Sequence, residues 1–145
     1  MVNKKLFNLP FTIYRLEKMS VRIKILTVFY IFILAGIIFA ADLRGTDFFA
    51  FVGKVPFGDK IGHFLLMGVF SFLLNWALNA KTIRFWLFRY LLGSLIVFGL
   101  VTLEELSQNF IRGRTFDLAD LIFDYAGIFI FGEIARLICR KTIKI

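Results

Sequence analysis

ILTVFYIFILAGIIFAA, residues Ile25–Ala41, is an uninterrupted apolar run of 17 residues that carries no charge. As an α-helix it would be about 25 Å long, which is close to the thickness of the hydrocarbon core of a bilayer. The whole chain has 145 residues and is 59% hydrophobic, with 20 Phe. A soluble domain of this size could not cover so much apolar surface. The run therefore predicts an integral membrane protein.

Three further segments pass the length test for membrane spans, although each contains polar residues. The second and third spans are predicted at 61–78 and 85–103. The fourth, 118–138, is retained because its acidic residues lie towards one end and YAGIFIFG fills its middle. The prediction is thus an all-α fold, an integral membrane bundle of four transmembrane helices. Its parts are an N-terminal cytoplasmic segment, a four-helix membrane domain and a cytoplasmic tail, at residues 1–24, 25–138 and 139–145.

Positive charge is distributed unevenly along the chain. Of the 18 Lys and Arg residues, 13 lie before the first span, around the loop between the second and third spans, or at the C-terminal end. Because cytoplasmic segments are enriched in Lys and Arg, both termini are predicted to be cytoplasmic in a multi-pass protein of the cell inner membrane. This orientation and anionic headgroups account for the net charge of +8, so the expected partners are membrane lipids and not nucleic acid.

The first polar motif is DKIGHF, at the start of the second span. Asp59 and His63 are four residues apart, so in a helix they share a face. An acidic residue one turn from an imidazole can fix its tautomer and raise its basicity. A lone histidine at an interface is more often a packing or hydrogen-bonding residue than a catalytic one, so this motif needs support from its neighbours.

Two more motifs are predicted to lie on the same side of the membrane. In EELSQNF, Glu105 and Gln108 are three residues apart and can face inward together, with Glu104 pointing outward. In RGRTFDLADLIFD, three carboxylates share one helical stripe, and the deepest lies about 9 Å inside the fourth span. A charge at that depth requires a cation, a hydrogen-bond donor or a proton. The three carboxylates belong to Asp117, Asp120 and Asp124.

Taken in order, DKIGHF, EELSQ and GRTFDLADLIFDYAG resemble the pattern of VanZ-like membrane proteins: D-K-x-x-H-F, E-x-x-Q and G-R-x-x-x-x-x-D-x-x-x-N-x-x-G. The resemblance runs from Asp59 to Gly127, roughly half of the chain. One departure is Asp124, where the family usually has Asn. The residues on the family's motif positions are Asp59, Lys60, His63, Glu105, Gln108, Arg114, Asp120 and Gly127.

The resemblance implies a small four-span protein of the cell envelope. The namesake of the family is linked to resistance towards the glycopeptide antibiotic teicoplanin, which acts at the outer face on lipid-linked cell-wall precursors. No reaction is established for the family, so neither enzymatic activity nor a cofactor follows from the resemblance. The expectation is action at the outer face, on or near lipid-linked or phosphate-bearing envelope components, with a link to glycopeptide resistance.

On this hypothesis the polar residues divide into two groups. Three of them would transfer protons as catalytic residues, namely His63, Glu105 and Asp120. The others would bind the ligand, with Lys60 and Arg114 placed to hold phosphate and Gln108, Asp59 and Asp124 contributing polar contacts. His63 and the carboxylates would suit a metal ion, but no HExxH-type signature is present, so no metal ligands are assigned.

A structural alternative uses the same residues only to hold the bundle together. Arg114 would pair with Asp120, and His63 with Asp59 or Glu105, across helix ends. Polar contacts between helices in membranes contribute about 0.6 kcal/mol on average, and a few of them would fix the register of the helices.

A second alternative is a proton-coupled small carrier or an accessory membrane subunit. Asp124 and Glu133 lie on the fourth span about 13 Å apart along the helix axis, which is a relay distance if groups between them carry protons. The sequence indicates no polar chain linking the two acids, and this argues against a carrier.

Overall fold

A computed structural model describes the backbone of residues 9–44, 57–85, 87–111 and 116–143. Side chains are described over residues 21–41, 57–84, 87–111 and 116–141. The described elements, in chain order, are α1 (Leu9–Arg44), α2 (Gly58–Ala77), β1 (Thr82–Phe85), β2 (Phe88–Leu91), α3 (Leu92–Ser107), a 3-10 turn (Gln108–Phe110) and α4 (Leu118–Ile143). The prediction of a mainly helical protein is confirmed, with the addition of a two-stranded sheet.

By length and composition, two of the described helices are candidate membrane spans, α1 over Val21–Ala41 and α2 over Gly58–Ala77. α2 agrees with the predicted span to within three residues. α1 is longer than predicted, because it begins at Leu9 and so includes much of the segment assigned to the N-terminal region. α4 begins at the predicted Leu118 and ends at Ile143, beyond the predicted end.

The prediction of a third helical span at 85–103 is wrong at its start, because the paired strands Thr82–Phe85 and Phe88–Leu91 lie there. The two strands are antiparallel, with Thr82 opposite Leu91 and Arg84 opposite Arg89. β-Branched and aromatic residues dominate this stretch and favour extended structure as strongly as a membrane helix. α3 therefore starts at Leu92, and its 16 residues extend about 24 Å.

The core of the protein lies where α1, α2, α3 and α4 meet. Val97 and Val101 of α3 are almost completely buried against Phe70 of α2 and Ile128 of α4, and Leu34 joins them from α1. Removing this apolar area from solvent stabilises the contact by about 25 cal/mol per Å² wherever water is the alternative environment.

α2 and α4 approach each other so closely that one position on α4 requires glycine. A Cβ atom at Gly127 would collide with the backbone carbonyl of Phe64, and a backbone atom cannot be moved aside cheaply. Small residues at such crossings allow helix backbones to come into contact in membrane proteins. This contact brings the N-terminal turns of α2 and α4 together, where the first and third polar motifs lie.

Large apolar side chains cover the outside of the described helices. On α1, Phe29, Phe32 and Phe39 are each more than 60% exposed, and Leu103 of α3 and Phe129 of α4 are 67% and 70% exposed. Exposed apolar surface of this extent on a soluble monomer marks a binding or membrane surface.

Candidate functional site

The three polar motifs meet at one end of the helix bundle. α2 and α4 both begin there, and α3 ends there, so the topology places the first turns of two helices beside the last turn of a third. The prediction that three carboxylates share one face of α4 agrees with the structure, because all three face α2. Asp117 and Asp120 face Lys60 of α2, and Asp124 faces His63 of α2.

His63 lies at the centre of this cluster. Its Nδ1 atom is 3.2 Å from each carboxylate oxygen of Asp124, whose side chain is fully buried. When Asp124 is ionised its carboxylate can only accept hydrogen bonds, and Nδ1 then carries the proton. The Nε2 atom then points the other way and lies 3.9 Å from one oxygen of Asp59 and 3.9 Å from one oxygen of Asp120. Asp59 was expected beside His63, but the direct partner, Asp124, was not.

Lys60 pairs with two carboxylates of α4. Its Nζ donates to Asp117 at 3.2 Å and to Asp120 at 3.0 Å, and its side chain is 23% exposed. Asp117 also accepts a hydrogen bond from the backbone N–H of Ala119 at 2.8 Å, as an N-terminal cap of α4. This bond, and secondly the Lys60 ammonium group, hold the pKa of Asp117 below its usual value.

Glu105 is turned inward as predicted and is buried. One of its oxygens accepts the backbone N–H of Asp117 at 2.9 Å, and the other accepts the side-chain amide of Gln108 at 3.0 Å. The same amide also lies within hydrogen-bond distance of both carboxylate oxygens of Glu104. Glu105 thus ties the end of α3 to the start of α4, and its hydrogen bonds lead to these groups and not to His63 or Asp120.

The structure therefore brings some of the predicted site residues into direct contact and places others beside them. The structure joins His63, Asp59, Asp120, Asp124 and Lys60 in one cluster, and places Glu105 and Gln108 beside it in a second set of hydrogen bonds. Arg114 lies outside the described residues, as does the pairing with Asp120 that the structural alternative assigned to it.

A cavity opens directly beside His63. It has a volume of about 180 Å³, and both Asp59 and His63 line it together with apolar residues of α1 and α2. A second cavity of about 260 Å³ lies between α1, α2 and α3, with an almost entirely apolar lining. The two share Leu34, Ile38 and Met67 in their walls, as well as Glu104. The two cavities are therefore neighbours, one with Asp59 and His63 in its wall and the other with a mainly apolar wall.

The charge of the cluster is strongly negative among the described residues. Its cationic groups are Lys60 and, when protonated, His63. The carboxylates at this end of the bundle are Asp59, Glu104, Glu105, Asp117, Asp120 and Asp124. The charge of the described residues alone would therefore repel an anionic ligand unless a cation accompanied it.

Sequence reasoning missed a second polar network, halfway along α2 and α4. Ser71 donates to the backbone carbonyl of Ile128 at 2.9 Å, and the Asn75 amide donates to Ser94 of α3 at 2.9 Å. Ser71 and Asn75 are both fully buried. The sequence indicated no polar chain linking Asp124 and Glu133, and this network places one polar side chain, Ser71, against Ile128, which lies between the two acids on α4. Serine is small and common in apolar segments, so its presence there does not predict a hydrogen-bond network. Only the alignment of these serines with small residues on facing helices could have indicated the network.

Comparisons with family models, curated proteins and solved structures find no match to this chain. The resemblance to VanZ-like proteins therefore depends on the ordered motifs between Asp59 and Gly127.

Proposed function

We propose that this protein is a VanZ-like, four-span protein of the cell inner membrane, with both termini in the cytoplasm. At its outer face it binds a phosphate-bearing, lipid-linked component of the cell envelope. The cavity beside His63 receives the polar headgroup, and the apolar cavity between α1, α2 and α3 receives the first part of the lipid chain.

The observation that carries the proposal is that the two cavities are neighbours with shared walls. A headgroup site requires polar side chains, and a lipid chain requires an apolar channel that reaches the bilayer. Asp59 and His63 line the first cavity, and Val97 and Leu100 line the second. A cluster that only held the helices together would not need an adjoining cavity.

Exposed apolar residues on every described helix support four spans. α3 and α4 carry outward-facing residues such as Leu103 and Phe129 in addition to those of the two candidate spans. Water is an unfavourable environment for this surface, whereas lipid is a suitable one. The positive-inside distribution of Lys and Arg supports the orientation.

The predicted proton-transfer residues remain His63, Glu105 and Asp120. His63 lines the cavity, and its Nε2 lies 3.9 Å from Oδ2 of Asp120, so these two are the pair proposed to act on a bound headgroup. Glu105 would act through the position of α4, because its two oxygens are occupied by Gln108 and the Asp117 backbone.

A binding experiment tests the proposal directly. The purified full-length chain in lipid nanodiscs is titrated with a polyprenyl phosphate, with the neutral polyprenol of equal chain length as the control ligand. We expect Ala35→Phe, which fills the apolar cavity, to weaken binding at least tenfold. Gly36→Phe is the matched control, because a side chain at Gly36 enters open space. Equal binding of the phosphate and the alcohol, or no effect of Ala35→Phe, would contradict the proposal.

A physiological test addresses the envelope and glycopeptide resistance. A strain that lacks the gene is profiled for envelope lipids and teicoplanin sensitivity, then complemented with alanine variants of His63, Glu105 and Asp120. Loss of complementation at normal protein abundance supports a site at these positions. Loss of abundance in all three variants would favour the purely structural alternative.

The buried serine–asparagine network favours a second candidate function, a proton-coupled carrier or accessory subunit. Ser71 contacts Ile128, which lies between Asp124 and Glu133 on α4, so polar groups do occur along the route between the two acids. A carrier that depends on the Asp124 proton should lose activity in Asp124→Asn. A headgroup site should tolerate that change, which restores the residue usual in the VanZ-like pattern.

A further inference from the structure

We propose that Asp59, His63 and Asp120 form a binding site for a divalent transition-metal ion of the Zn²⁺ or Mn²⁺ type. Ligand atoms of these three residues lie within 4.8 Å of one another. The atoms that face each other are Nε2 of His63, Oδ1 of Asp59 and Oδ2 of Asp120. One imidazole nitrogen with two carboxylate oxygens is a mixed ligand set that suits borderline and hard cations.

The distances fit a site that tightens on binding. Nε2 is 3.9 Å from each of the two carboxylate oxygens. Metal–ligand bonds of about 2.1 Å would place tetrahedral ligands about 3.4 Å apart. These two separations must therefore shorten by about 0.5 Å, and that between the two carboxylate oxygens, which is within 4.8 Å, by up to about 1.4 Å. Asp59 can supply this movement, because its side chain is 64% exposed.

The imidazole is already oriented for metal binding. Histidines that bind metals usually donate their other ring N–H to a carboxylate, which fixes the tautomer and directs the free lone pair at the ion. Asp124 is in this position, with both oxygens 3.2 Å from Nδ1 of His63. The lone pair of Nε2 then points at Asp59 and Asp120.

Asp120 can serve Lys60 and the ion at the same time. Its Oδ1 accepts from Lys60 at 3.0 Å, while its Oδ2 is the oxygen that faces His63. Lys60 therefore neutralises part of the charge on Asp120 without blocking the proposed ligand atom. The three protein ligands leave further coordination positions open, and the 180 Å³ cavity that Asp59 and His63 line has room for water or an oxygen of a ligand there.

A bound cation would also resolve the charge problem of the site. Carboxylates outnumber cationic groups in the described cluster, and this would repel a phosphate. A divalent ion adds two positive charges at the cavity and can coordinate a phosphate oxygen in its open position. This second role rests on the proposed function, whereas cation binding by the three side chains does not.

The test is direct metal binding by the full-length chain in nanodiscs, with any affinity tag removed. ZnCl₂ and MnCl₂ are titrated calorimetrically, and bound metal is counted after dialysis. We expect one ion per chain, and at least tenfold weaker binding in His63→Gln and in Asp59→Asn. If His63→Gln misfolds, Asp59→Asn still tests the site, because the Asp59 side chain is largely exposed and its replacement should not disturb folding.

Glu104→Gln is the matched control, because it removes one negative charge from the same cavity without removing a proposed ligand. It should weaken metal binding less than threefold. Equal weakening by Glu104→Gln and Asp59→Asn would overturn the inference, since it would show only general attraction of cations. Absence of stoichiometric binding to the wild type would overturn it as well.

The same titrations separate the two proposals. If polyprenyl phosphate binds equally well with and without a chelator, the metal has no role in headgroup binding. The proposal that the protein binds a lipid-linked phosphate would not be contradicted by that result. Stoichiometric metal binding without lipid binding would confirm the metal site and contradict the proposed function.

Discussion

His63 and Asp124 face each other across the contact between α2 and α4, with Nδ1 of the imidazole 3.2 Å from both carboxylate oxygens. Asp124 is fully buried, so its carboxylate has exchanged water for this partner. The pair holds the imidazole in one orientation and satisfies an acid that would otherwise be costly at this depth. It therefore links the stability of the helix contact to the geometry of the site.

The first prediction concerns the partner of the imidazole. Asp124→Asn keeps an oxygen that accepts from Nδ1, so we expect a loss of less than about 1 kcal/mol in the free energy of unfolding. Asp124→Ala leaves the ring N–H without a partner, and we expect a loss of about 1–3 kcal/mol. Equilibrium unfolding in mixed micelles measures both variants. Equal losses would show that the hydrogen bond does not stabilise the helix contact.

The second prediction concerns the backbone contact that makes this pair possible. A Cβ atom in Gly127→Ala would meet the carbonyl of Phe64, so α2 and α4 must move apart. We expect a loss of about 1–3 kcal/mol, the usual cost of overpacking, measured by the same unfolding method.

Gly99→Ala of α3 is the control for that substitution, because open space surrounds its added methyl group. Alanine is also the better helix former, so the control should be neutral or slightly stabilising. If both variants behave alike, the close approach of the backbones at Gly127 is not a requirement of the fold.

The sequence predicted most of the helices, and it predicted that the polar motifs lie together at one end of the bundle. Both predictions follow from hydrophobic runs and helical spacing. It paired His63 with Asp59, which is one turn away, since neighbours on one helix are visible in sequence. The pairing with Asp124 depends on how α2 and α4 cross, which spacing within one helix does not determine. The strands at 82–85 and 88–91 were missed because their apolar residues suit a strand as well as a helix.

The third prediction separates binding from stability at Lys60. Its ion pairs with Asp117 and Asp120 are partly exposed, and such pairs contribute at most about 1 kcal/mol. Lys60→Met keeps the apolar stem of the side chain and should change the free energy of unfolding by less than that amount. Binding of polyprenyl phosphate should weaken at least tenfold. A variant that unfolds readily, or one that binds normally, would show that Lys60 only braces the helices.

The fourth prediction is a pH effect at Asp117. The pKa of Asp117 is lowered mainly by the N–H of Ala119 and secondly by Lys60. A group whose pKa is lower in the folded state stabilises that state above the unfolded pKa, and the contribution is lost as the pH falls through the folded pKa. Carboxyl NMR should show a lowered pKa in the wild type. In Lys60→Met the pKa should rise but stay below the ordinary value, because the Ala119 bond remains.

The last prediction tests whether Glu105 acts through position or through chemistry. Glu105→Gln can still accept the Asp117 N–H through its amide oxygen, but its amide nitrogen then faces the amide of Gln108. Because Glu104 also accepts from Gln108, the compensating variant combines Glu104→Gln, Glu105→Gln and Gln108→Glu, which gives each contact a donor and an acceptor. We expect it to recover folding and lipid binding to the level of Glu104→Gln alone. The readouts are protein abundance in the membrane and the affinity for polyprenyl phosphate. Recovery of abundance without recovery of binding would mean that the carboxylate at position 105 itself takes part in the site.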